Sequence, residues 1–150
     1  MTGNPFLDWA IMAVSLFNTV LMLWLGLTVL LNAERRTWGV WLTGGGLLLG
    51  GAFFISHSAI LGYGLSTINW EMNFWWRLGW GPVVALPLVW YVVTLWYAGF
   101  WDGSSPLRRR QRSWLAAVLL LTVVLVGLLL FANPLPSYTQ VVQLSLSATP

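Results

Sequence analysis

Arg108-Arg-Arg-Gln-Arg-Ser-Trp-Leu-Ala-Ala-Val-Leu-Leu-Leu-Thr-Val-Val-Leu-Val-Gly-Leu-Leu-Leu-Phe-Ala132 decides the fold. Four arginines stand before a run from Trp114 to Ala132 that carries no charge and one hydroxyl, Thr122. A hydrocarbon layer of about 30 Å takes about 20 residues of helix, and the run meets that length within its tolerance. Basic residues are held on the cytoplasmic side of a membrane, so the arginines also orient the helix. Three earlier stretches read the same way, which places spans at about residues 9–31, 38–63, 75–101 and 114–132. Arg35 and Arg36 separate the first two. Six of the seven basic residues therefore lie on alternate connections, as an even weave through a bilayer requires. The expected fold is an all-α integral membrane protein with four transmembrane helices and both termini outside the cytoplasm. Residues 1–150 form one membrane domain, with an outer tail over 133–150.

Composition narrows the function. The chain is 58% apolar and 7% charged, with a mean hydropathy of +0.76, far from the balance of soluble domains. A pI near 10.0 reflects a few arginines set against fewer acids. Arginines gathered on membrane connections serve topology and do not make a nucleic-acid surface. Cysteine is absent, which removes disulfides, thiolate metal sites and cysteine nucleophiles. Lysine is absent too, and with it any Schiff base. The acids Asp8 and Glu71 fall at one end of the spans and Glu34 and Asp102 at the other, so no carboxylate pair forms. No serine has an evident base partner with a third orienting group, and Gly44-Gly45-Gly46 lies too deep to be a phosphate loop. The chain is expected not to be an enzyme and to hold no metal.

Tryptophan is abundant, and Trp9, Trp38, Trp41, Trp70, Trp75, Trp76, Trp80, Trp101 and Trp114 mark the two interfaces where an amphipathic ring belongs. Trp24, Trp90 and Trp96 fall deeper and read as packing. In the second span Gly46 and Gly50 form a small-xxx-small pair that marks a helix contact face. At about 100° per residue Phe53 and His57 share that face, so the glycines are expected to form a groove with His57 at its outer end. A lone intramembrane histidine is a candidate site. The tentative ligand-binding or sensing set is His57, Gly46, Gly50 and Phe53. No cofactor is expected, a tetrapyrrole pigment on His57 being the one alternative. Ser15, Asn18, Met22 and Gly26 form a stripe on the first span that should face another helix, and Pro82 and Pro87 should bend the third.

The stretch from Asn73 to Gly99 resembles the third helix of the seven-helix N-terminal sensor region of bacterial membrane histidine kinases. The matching elements are Trp76-Arg77, Pro87 followed by Trp90, and Tyr97-Ala98-Gly99. The resemblance implies the first four helices of such a sensor, set in the bacterial inner membrane. It departs from the family in lacking the last three helices and any output module, and the loop-like tail is one that a longer natural product would carry onward. The function expected is a non-enzymatic, sensor-like membrane module relaying to a protein partner through Arg35, Arg36, Arg108, Arg109, Arg110 and Arg112. The alternative is an accessory or structural subunit of a larger membrane complex, energy-converting or pigment-binding. Lipid bilayer and a protein partner are the expected contacts, and nucleic acid is not.

Overall fold

The protein is described by a computed structural model over residues 4–35, 37–63, 70–103, 105–132, 135–138, 140 and 143, with backbone alone at 63, 70 and 71. Every regular element among these residues is helical, and four helices are long and apolar enough to cross a membrane. They are α1 (Pro5–Asn32), α2 (Trp38–Tyr63), α3 (Trp70–Tyr97) and α4 (Pro106–Gly127), the last continued by a π-helical turn, Leu128–Ala132.

Local chemistry sets their ends. Asn4 caps α1, its side chain accepting from the Phe6 amide at 3.1 Å, and Pro5 occupies the first turn. These are preferred residues for those two places, so the helix starts before Trp9. Asp8 in the first turn also suits the positive end of the helix dipole. At the other extreme, α3 stops at Tyr97, earlier than the expected 101. Gly99 adopts φ +74°, its amide donates to the Trp96 carbonyl at 3.1 Å, and the Phe100 amide donates to the Leu95 carbonyl at 3.0 Å. This pair of bonds is a Schellman cap, completed by contact between apolar residues at its two ends. Leu95 and Phe100 stand at those two ends, and both are buried.

The fourth helix corrects a second expectation. It begins at Pro106 and not at Trp114, so Arg108, Arg109, Arg110 and Arg112 lie on its first turns and not on a loop. Proline at the first helical position starts the turn, and arginine is a good helix former. Pro82 and Pro87 both sit inside a continuous α3. The glycine- and serine-bearing connection at 64–69, most of the alternating segment at 142–147 and the charged end of Glu71 lie outside the described residues.

The helices pack as an open row. α1 meets α2, α2 meets α3 and α3 meets α4, and among the described residues no other pair of these helices touches. Consecutive helices run antiparallel. The start of α2 therefore meets the end of α3, with Trp38 set edge-on to Trp96 at 6.1 Å and to Trp101 at 4.7 Å. Arg35 and the α4 arginines share that end of the row.

The interior holds Met72, Val93, Leu95 and Phe100 and is otherwise rich in small residues. Gly26, Gly39, Gly44, Gly46, Gly50 and Gly51 are buried, as are Ser15 and Ser56. Many other large apolar side chains point outward, Trp24 at 61% exposure and Phe131 at 89%. That inversion fits lipid as solvent, since moving a leucine from lipid to a helix interface gains little and close backbone approach gains more.

Candidate functional site

Two sets of side-chain bonds bridge neighbouring helices among the described residues: a polar cluster between α1 and α2, and a single bond from the Tyr91 hydroxyl of α3 to Gln111 Oε1 of α4 at 3.0 Å. Several other hydroxyls of the apolar helices turn inward on their own helix. Thr19, Thr43, Ser56, Thr94 and Thr122 each donate to the carbonyl four residues back, at 2.8–3.2 Å. Asn18 does the same with its amide, donating to the Val14 carbonyl at 2.9 Å. Such back-bonding is what remains to a polar group when lipid offers no partner. Ser15 behaves differently. Its Oγ on α1 lies 3.0 Å from His57 Nδ1 and 2.8 Å from Ser58 Oγ, both on α2, with the Phe54 carbonyl at 3.5 Å.

Ser15 is 2% exposed, so its hydroxyl finds its partners within the cluster. A hydroxyl has one hydrogen to give and two lone pairs to receive with. If Nδ1 is bare, Ser15 donates to it and Ser58 donates to Ser15. If Nδ1 carries hydrogen, it donates to Ser15, and Ser15 then donates to Ser58 or to the Phe54 carbonyl. Two patterns are thus available to the same atoms, selected by the imidazole.

His57 also divides two cavities. On the α1 side a space of about 270 Å³ is lined by Ile11, Val14, Ser15, Phe54 and His57. On the α3 side a space of about 170 Å³ is lined by Phe53, His57, Ile60, Trp76, Gly79 and Trp80, among others. Phe53 stacks beside the imidazole with ring centres 6.1 Å apart. Trp76 and Trp80 meet edge to face at 5.8 Å. The tail closes over this aromatic wall. The Trp76 indole donates to the Pro136 carbonyl at 3.2 Å, the Tyr138 amide donates to Asn73 Oδ1 at 2.8 Å, and the Tyr138 ring lies edge-on to Trp76.

No protein-family model, characterised protein or solved structure matches this chain. Its chemistry therefore has to be read from the side chains themselves.

The structure brings together His57 and Phe53 and separates them from the glycines. A side chain on Gly46 would run into Val89 of α3, and one on Gly50 would touch Met22 of α1. Leu30 and Leu23 of α1 fill the spaces beside Gly44 and Gly51 in the same way. The expected glycine groove is occupied by packing, because α2 has a helix on both sides. Bound ligands of ordinary size take about 300–1,000 Å³, and the cavities at His57, about 170 and 270 Å³, do not fit a tetrapyrrole.

Of the expected interhelical stripe on α1, Ser15, Met22 and Gly26 meet α2, while the Asn18 amide bonds back to its own helix. Ser15 and Gly26 are buried there, a side chain on Gly26 would strike Leu48, and Met22 faces Gly50. The arginines are spread. Arg35 is exposed in a bend after α1, Arg108, Arg109, Arg110 and Arg112 are exposed on α4, and Arg36 lies outside the described residues.

A serine with a histidine in bonding reach was not evident from the sequence, and it raises the question of nucleophilic chemistry. Ser15 lies within a continuous helix whose amides are committed to the backbone ladder. His57 has no orienting carboxylate among the described residues, and no group of three or more His, Cys, Asp or Glu gathers there. The parts that turn such a pair into an acyl-transfer site are missing around it. Register could have revealed the pair. Ser15 and His57 stand equally far in sequence from Arg36, as Met22 and Gly50 do, and positions equidistant from the turn of a helical hairpin share a depth.

Proposed function

We propose that this chain is a non-enzymatic, sensor-like membrane module in which His57 is the sensing residue and the arginine-bearing end contacts a protein partner. The observation that carries the reading is the Ser15–His57–Ser58 cluster, the cross-helix bond set at the heart of the α1–α2 pair. A proton arriving at His57, or a small apolar molecule entering beside its ring, changes which atoms donate. Ser15 and Ser58 must then exchange roles. A ligand shifts such a two-state element only through the difference in its affinity for the two patterns, and the imidazole supplies that difference. The resemblance of α3 to the third helix of a histidine-kinase sensor region supports the same assignment. So does the open row, a shape suited to closing against further helices.

In this reading Arg35, Arg36 and the α4 arginines face the cytoplasm of a bacterium, both termini lie outside, and His57 sits towards the outer face of the inner membrane. The test is a spin label on a single cysteine at residue 37 in proteoliposomes, followed during acidification of the face opposite the arginines. A change in label mobility is expected in the native chain and is lost in His57→Ala and in Ser15→Ala. A label indifferent to acid in all three proteins would sink the proposal.

A second reading has an observation of its own. α4 carries no buried residue, which suits an accessory subunit laid against a larger membrane complex. Purification from native membranes in mild detergent separates the two. Stoichiometric retention of an energy-converting or pigment-bearing complex favours the accessory subunit, and retention of a signalling partner favours the sensor.

A further inference from the structure

The groove between α3 and the end of α4 has a positive charge at its mouth. Arg77, Gly81 and Val84 share one stripe of α3, and with Val126, Leu129 and Leu130 they enclose a cavity of about 270 Å³. A second space of about 460 Å³ opens from the same arginine towards the helix end, lined by Asn73, Phe74, Leu78 and Ser137. The lining thus turns from polar to apolar along one path, with Arg77 at the boundary. Arg77 is exposed and has no ion pair or hydrogen bond among the described residues. It lies about 10 Å into α3 from Trp70 at 1.5 Å per residue. An arginine at the edge of hydrocarbon needs a counter-charge or water to be tolerated.

Gly81 marks the space as a vacancy in the packing. Side chains at Gly39, Gly44, Gly46 or Gly51 would strike a neighbouring helix, whereas one at Gly81 would meet nothing within 4 Å. This glycine does not serve helix contact. It leaves room immediately below the guanidinium, on the side where α3 and α4 barely touch.

We propose that this groove binds one phospholipid, its phosphate on the Arg77 guanidinium and one acyl chain running past Gly81 between α3 and α4. A planar guanidinium suits two phosphate oxygens at once. Asn73 accepts from the Tyr138 amide through Oδ1, which leaves its Nδ2 hydrogens for the headgroup. Val84, Leu129 and Leu130 offer the chain the surroundings it has in the bilayer.

The test is native mass spectrometry on the delipidated full chain with three probes: palmitoyl-oleoyl phosphatidylglycerol, the diacylglycerol with the same chains, and glycerol phosphate. The phospholipid is expected to bind one per chain and about tenfold more tightly than the diacylglycerol, the scale of one charge-assisted contact. Glycerol phosphate should not displace it. Arg77→Gln is expected to lose about tenfold, Gly81→Leu to weaken binding with the charge intact, and the combined Arg108→Gln, Arg109→Gln, Arg110→Gln and Arg112→Gln variant to leave this site unchanged. Equal binding of phospholipid and diacylglycerol would overturn the assignment. So would competition by glycerol phosphate, which would make this a free-phosphate site, or an unaltered Arg77→Gln. If Arg77→Gln does not fold, the three probes on the native chain decide alone.

Discussion

Gly39 shows what a missing side chain achieves at the arginine-bearing end. A methyl group there would overlap the Trp96 indole, whose edge also meets Trp38 and whose neighbour Tyr97 lies 4.8 Å away. Gly39→Ala is therefore expected to force this cluster apart at a cost of about 1–3 kcal/mol, read as a lower thermal midpoint in detergent. Gly45→Ala is the matched control, since nothing lies within 4 Å of its added carbon, and it should be neutral or slightly stabilising. Equal effects at the two positions would remove the packing argument. Sequence alone marks Gly46 and Gly50 as a helix contact face. It does not say which neighbour each one meets, because α2 packs on both sides and a small difference in helix crossing decides the side. The same limit separated His57 and Phe53 from Gly46 and Gly50, which share their face on an ideal helix.

At the scale of elements, the ends carried more information than the apolar runs. Hydropathy marks where lipid begins and ends, and helices continue beyond it wherever a cap permits. Asn4-Pro5 extends α1 outward and Pro106 extends α4 back through its arginines, while Gly99 ends α3 early. Each signal was present in the sequence but concealed by the stronger pattern of hydrophobicity. The left-handed Gly99 is the most exacting of them, because an added Cβ would also lie 2.7 Å from the Asp102 carboxylate. Gly99→Ala is expected to cost about 1–2 kcal/mol. Gly103→Ala, with nothing within 4 Å, should not. Thermal unfolding of the two variants in one detergent measures the difference, and an indifferent Gly99→Ala would mean that the cap does not hold the α3–α4 connection.

For the whole molecule, the absence of cysteine makes the orientation directly measurable. A single cysteine at Thr37 should be shielded in intact cells from a membrane-impermeant maleimide, and one at Ser137 should be labelled. The reverse pattern would invert the proposed sidedness and move His57 to the other face. The open row has a consequence for how the protein is made. Each helix after the first packs chiefly on the one synthesised just before it, so α2, α3 and α4 each emerge beside a neighbour that is already made. Contacts between chain neighbours close with little loop entropy, and N-terminal parts fold first during synthesis. The molecule can therefore be assembled in the order in which it is read, each later span arriving beside a surface already in place.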